Sequence, residues 1–236
     1  MADNVLNNKT FKYIFRIKED LEIVFGLTID PVKMQLIVDP TQNNLPHWTE
    51  LNTHQCPHCP LQVNENPHCP IAIQLVPLVK NFDHLVSYDE ISVTVEDGSR
   101  TVSQKTTAQR GISSMMGLII AASGCPHTDF FKTMVWFHLP FSTSEETLWR
   151  VTSSYMLAQY FKVQKQQSPD FAFEGLKKIY ADIKMVNHYM AKRLTEACKN
   201  DSSTNALVIL NLYTSAIPRV IDKSLSKIQF MFPPFN

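Results

Sequence analysis

Four of the five cysteines stand directly before a proline: Cys56-Pro57, Cys59-Pro60, Cys69-Pro70 and Cys125-Pro126. A histidine adjoins or nearly adjoins each, in Cys56-Pro57-His58-Cys59-Pro60, Pro67-His68-Cys69-Pro70 and Gly124-Cys125-Pro126-His127. Thiolates are soft ligands, and four of them that include a C-x₂-C pair form the kind of set taken by Zn²⁺ or by an iron–sulfur cluster. Cys56, Cys59, Cys69 and Cys125 are therefore the candidate ligands. Cys69 follows Cys59 after nine residues, and Cys125 comes from a separate stretch of chain. Such a split costs little, because loop-closure entropy grows only logarithmically with length. His58, His68 and His127 are candidate accessory groups, as ligands, as donors to ligands or as proton carriers. The plainer reading makes them polar loop residues.

The prolines bear on the choice of metal. In a zinc knuckle, backbone N–H groups after the second cysteine point at sulfur, and Pro60 removes the first of them. Cys-Pro also occurs at the last ligand of ferredoxin-type iron–sulfur runs, and fewer N–H···S bonds would lower a cluster's potential. An iron–sulfur centre with a redox or regulatory role is the first expectation. A structural zinc holding a rigid loop for a partner is the second. Cys125 follows an apolar helical stretch that Gly124 should end; the negative end of that helix would raise its thiol pKa and favour ligation over nucleophilic catalysis.

Thiol–disulfide exchange is the third reading. Cys56-Pro57-His58-Cys59 resembles the active-site tetrapeptide of periplasmic disulfide-forming oxidoreductases of thioredoxin fold, over those four residues alone. In that fold the motif follows an apolar strand and opens a helix, whereas Leu51-Asn52-Thr53-His54-Gln55 is polar and Pro60 disturbs a helix start. Taken together, Cys-Pro-His-Cys-Pro-Leu, Pro-His-Cys-Pro-Ile-Ala and Ser-Gly-Cys-Pro-His-Thr resemble the motifs of an uncharacterised bacterial protein family, over residues 45–165. That resemblance implies no activity, cofactor or partner.

Other residues of chemical interest have simpler uses. Cys198 lacks the proline and lies on an amphipathic helix, where it reads as a small hydrophobe. His47 and His54 read as peripheral, and His84, His138 and His188 as structural. Adjacent acids such as Glu145-Glu146 and Asp89-Glu90 point in different directions and do not converge. Neither a Gly-rich phosphate loop nor a nucleophile elbow is present.

The 236 residues suffice for a core that needs neither metal nor disulfide for its bulk. With 22 basic and 22 acidic side chains the chain offers no field for a phosphate backbone, so no nucleic-acid partner is expected. The opening residues lack a basic segment followed by an apolar one, and the apolar stretch near Gly117–Ala122 is too short to span a bilayer. A cytoplasmic protein with no membrane partner follows, its partner being an unknown protein or redox protein. In that compartment grouped cysteines are more often ligands or redox thiols than disulfides.

The elements that must carry these residues divide along the chain. Phe11, Tyr13, Phe15 and Ile17 alternate with mostly polar neighbours, as do Leu21–Ile29 and then Met34, Leu36 and Val38, predicting a meander with turns at Glu19-Asp20 and Asp30-Pro31. A hairpin is expected over 88–106 around Asp97-Gly98. Between them, residues 31–77 hold eight of the fourteen prolines and predict a stiff irregular loop. Residues 71–80 fit strand or helix equally. Beyond residue 108 the periodicity is helical: 108–123; a helix opened by the capping box Thr143-x-x-Glu146 and running through Leu148, Val151, Tyr155, Leu157 and Phe161; a stripe of Leu176, Ile179, Ile183, Val186, Met190 and Leu194; and 206–217, stopped by Pro218. The class is α+β: a small antiparallel sheet, N-terminal meander plus hairpin, packed with C-terminal helices. It is expected to form one domain over 1–236, with a natural subdivision into a strand-rich part carrying the cysteine loop (1–106) and a helical part (107–236).

Overall fold

The computed structural model describes residues 7–18, 21–37, 44–208, 230 and 232. Five antiparallel strands form one sheet in the order β3-β2-β1-β4-β5: β1 (Lys9–Lys18), β2 (Leu21–Asp30), β3 (Gln35–Leu36), β4 (Glu90–Glu96) and β5 (Thr101–Thr107). The period-two pattern fixes the register. Tyr13 lies opposite Phe25 on one side and Val95 on the other, so Phe11, Tyr13, Phe15, Ile91, Val93 and Val95 all bury on one face. The hairpin turn uses Gly98 at φ 83°, with the Asp97 carboxylate accepting from the Ser99 and Arg100 N–H groups. The turn expected at Glu19-Asp20, Val38 of the third strand, and the end of the last helix with Pro218 lie outside the described residues; 202–208 are helical.

Helices cover the apolar face of the sheet. They are α1 (Pro70–Phe82), α2 (Ala108–Ala121), α3 (Lys132–Trp136), α4 (Ser144–Gln164) and α5 (Glu174–Ala197). Residues 71–80 are therefore helix. Pro77 sits inside α1 on its exposed side, where its lost N–H costs one bond and its ring meets solvent, while Ile71, Leu75, Leu78 and Phe82 face the core. α2 approaches the sheet closely because residue 111 is glycine. A Cβ there would come within 2.8 Å of Val93 Cγ2 and 3.0 Å of Ile91 Cδ1. The sheet, α1, α2 and one face of α5 share a single buried cluster, and a smaller cluster joins α4 to the start of α5 through Leu148, Val151, Tyr155, Leu176 and Tyr180.

The capping box forms: Glu146 N–H donates to Thr143 Oγ1, and Thr143 N–H to the Glu146 carboxylate. The expected apolar stripe of α4 is corrected. Leu148, Val151 and Tyr155 face inward, but Leu157 and Phe161 are exposed. Two residues beyond Tyr155 is more than half a turn away, and the stripe continues instead through Gln159, whose carbonyl accepts from Asp170 N–H. His84 and His188 are likewise exposed, not structural, whereas His138 is tied to Tyr13. No helix among the described residues is long and apolar enough to cross a membrane.

Candidate metal centre

Prolines 57, 70 and 126 place the cysteines beside them. Pro57 takes the second position of a turn in which Cys59 N–H donates to Cys56 C=O at 2.9 Å, bringing that pair to one side. Cys69 is the N-cap of α1, with Pro70 at the first helical position. Cys125 is the N-cap of a short 3₁₀ helix, Pro126–Phe131, with Pro126 at its first position. Proline suits that position because its φ is already helical and its missing N–H would have had no partner there.

Neither Cys69 nor Cys125 accepts a side-chain capping hydrogen bond, although the nearby N–H groups of Ala72 and Ile71 at Cys69 and of His127 at Cys125 oppose the rise that burial gives each thiol pKa. One expectation is corrected: Cys125 does not behave as a residue at a helix C-terminus. α2 closes at Ala122, Gly124 turns the chain at φ 87°, and Cys125 opens the next helical segment. Its thiol is still pushed up to about 12, but burial is the main cause, and the His127 N–H opposes it.

The four cysteines line one small cavity of ≈ 20 Å³. Its other walls include Leu51, Leu61, Ile71, Val186 and Met190, so the thiols share an apolar enclosure. Burial raises Cys56 to about 11, and the neighbouring Cys69 and Cys59 thiols raise it further; Cys69 is raised by burial too. Cys125 feels all three of the others. Among the described residues no three His, Cys, Asp or Glu side chains stand close enough together to hold a metal ion. The thiols thus face a common void without being gathered at single-ion distance. All five cysteines are free thiols, and Cys198 is not among the cavity residues.

Of the three histidines, only His127 lines the cavity. Its Nε2 donates to His58 C=O at 2.9 Å, and its ring stacks on that of His58 with centroids 3.9 Å apart. His58 Nε2 in turn donates to the Asp182 carbonyl of α5, and its buried Nδ1 has no partner among the described residues. His68 pairs through Nδ1 with Thr49 Oγ1, beside an antiparallel bridge in which Cys69 N–H donates to Thr49 C=O and Leu51 N–H to Pro67 C=O. The histidines therefore fasten the cysteine loop to the helices around it.

The residue that sequence reasoning missed is Arg193. It is 2 % exposed and also lines the cavity. Its guanidinium donates to three carbonyls of the cysteine loop, those of Trp48 and Glu50 at 2.7 Å and Leu51 at 3.0 Å. No carboxylate lies within ion-pair distance among the described residues. Burial lowers its pKa, and the Cys69, Cys56 and Cys59 thiols are the leading influences that raise it. Arginine nevertheless keeps its charge. The signal was present in the sequence, since the 3.6-residue stripe through Ile183, Val186 and Met190 runs on to Arg193 and Leu194, placing a cation where an apolar residue belongs.

Four cysteines and one buried guanidinium thus line a single small enclosure. No curated protein and no solved structure matches the chain. The model of a family described as a domain of unknown function, DUF6901, matches residues 10–233, and the protein belongs to that family.

Proposed function

We propose that this is an iron–sulfur protein whose cluster is held by Cys56, Cys59, Cys69 and Cys125, serving a one-electron redox or regulatory role. The observation that carries the reading is the set of four cysteines lining one apolar cavity beside a buried arginine that, among the described residues, has no carboxylate at ion-pair distance. Four thiolates around a cluster leave a net negative centre, which compensates a buried guanidinium that is otherwise costly. When bound, such a cluster supplies reversible one-electron transfer. Arg193 holds the loop through the Trp48, Glu50 and Leu51 carbonyls and biases the site toward negative charge.

Structural zinc remains the second reading, favoured by the size of the void, which is on the order of one water. Loading one ion would draw the four side chains inward; loading a cluster would turn them outward. The test is iron, zinc and acid-labile sulfide analysis of anaerobically purified protein, together with its absorption spectrum. Iron with sulfide and a broad brown absorbance, lost in a serine variant of any of the four cysteines and kept in Cys198→Ser, is the expected result. Colourless protein with stoichiometric zinc would replace the first reading by the second, and metal-free protein with active thiols would replace both by thiol exchange.

A further inference from the structure

A second cavity, of ≈ 500 Å³, lies across the same elements from the cysteines. His127 faces the cysteine cavity and Thr128 this one; Val186 and Asn187 on α5 divide the same way. A void of this volume is in the range that encloses a small organic molecule. Leu118, Phe131, Met134 and Val135 give it apolar walls.

Its polar groups are unfinished in one sense only. Ser113 is 4 % exposed and Tyr180 3 %, yet neither hydroxyl has a hydrogen-bond partner among the described residues, and both residues line the void. Interior hydroxyls are normally paired, so each is a donor waiting on the cavity side. Arg150, half-buried, uses one terminal nitrogen to donate to the Met134 and Phe137 carbonyls at 2.9 and 3.0 Å. No carboxylate lies within ion-pair distance of it among the described residues; burial lowers its pKa, and Tyr180 and the more distant Glu146 carboxylate oppose that. Arg110, exposed at the rim, also lacks a partner there. Among the described residues the only acid lining the cavity is Glu145, itself exposed.

We propose that this cavity binds a small organic carboxylate with an apolar body, the carboxylate on Arg150 with the Ser113 and Tyr180 hydroxyls donating, and the body against Leu118, Phe131, Met134 and Val135. A planar oxyanion matches the guanidinium fork, and it supplies at once the acceptor that two hydroxyls lack and the close ion pair that Arg150 does not make among the described residues. Arg110 at the rim draws anions toward the opening.

Calorimetric titration of the full-length protein with octanoate and 2-naphthoate tests this, with octan-1-ol as the uncharged control. At least one carboxylate should bind with Kd below about 1 mM and about tenfold more tightly than the alcohol. Arg150→Gln should weaken that binding by about tenfold or more, with a lowered melting temperature because the Met134 and Phe137 carbonyls lose their donor. Ser113→Leu fills the void without touching the bonds of Arg150, and should abolish binding even if Arg150→Gln fails to fold. Failure of both carboxylates to bind, equal binding of the alcohol, or full binding in Ser113→Leu would overturn the proposal. None of these readings depends on what metal the cysteines hold.

Discussion

Arg193 is the residue on which the cysteine loop most depends. Three carbonyls from one segment, those of Trp48, Glu50 and Leu51, point at a single guanidinium. Arg193→Met keeps much of the volume but leaves those acceptors buried without donors, which should destabilise the protein by about 2–4 kcal/mol in urea unfolding. The same variant should retain less metal, since the positive charge beside the thiolates is gone. A loss below about 0.5 kcal/mol would mean that the loop holds itself. His138 carries a pH prediction. Burial, reinforced by Arg150 and Lys9, lowers its pKa to about 3. The folded state thus keeps it neutral, while the unfolded chain takes up a proton below about 6.5. The unfolded state binds more protons over that interval, so stability should fall as pH drops from about 6.5 toward 3. Chemical denaturation at several pH values should show a shallower slope in His138→Gln, which can keep the bond to Tyr13; equal slopes would remove His138 as the source.

At the scale of elements, α2 decides how the halves of the molecule meet. It packs on β4 through Gly111, and its end is turned by Gly124 toward Cys125. Gly111→Ala raises helix propensity by about 1 kcal/mol, but its Cβ would strike Val93 and Ile91. The clash should win, because two side chains of a packed sheet must shift, giving a net loss of about 1–3 kcal/mol by thermal or urea unfolding. A more stable Gly111→Ala would show that the contact relaxes freely. Any shift of α2 also moves Cys125 relative to Cys69, so the same variant should load less metal than the parent.

For the whole molecule, the buried cluster joins strands from the N-terminal part to α2 and α5 from the helical part. The cysteine cavity is likewise built from both, with Cys56, Cys59 and Cys69 on one side of residue 107 and Cys125 and Arg193 on the other. Unfolding should therefore be one cooperative transition, with far-ultraviolet dichroism and tryptophan fluorescence, which samples Trp48, Trp136 and Trp149, giving the same midpoint. Two separated midpoints would divide the chain near residue 107.

By itself the sequence determined whatever is local or periodic. Alternation in 11–17 and 91–95 gave strands with the right inward face, Asp97-Gly98 gave the hairpin, Thr143 and Glu146 gave a helix start, and the Cys-Pro dipeptides singled out the residues that share a cavity. These follow from side-chain period and cap chemistry, which act within a few residues. Only the tertiary structure decided the rest. Pro70 reads as helix start or strand break until Ile71, Leu75 and Phe82 find a sheet to cover. Cys69 and Cys125 look alike as Cys-Pro loop residues until each is seen at the N-cap of a helical segment that its own proline opens. Arg193 stands 124 residues from Cys69 and is joined to the cysteine loop only when α5 packs beside it, and the partnerless hydroxyls of Ser113 and Tyr180 meet one void only once α2 and α5 are side by side. Such pairings are set by which faces bury together, and that is a property of the packed chain, not of any window within it.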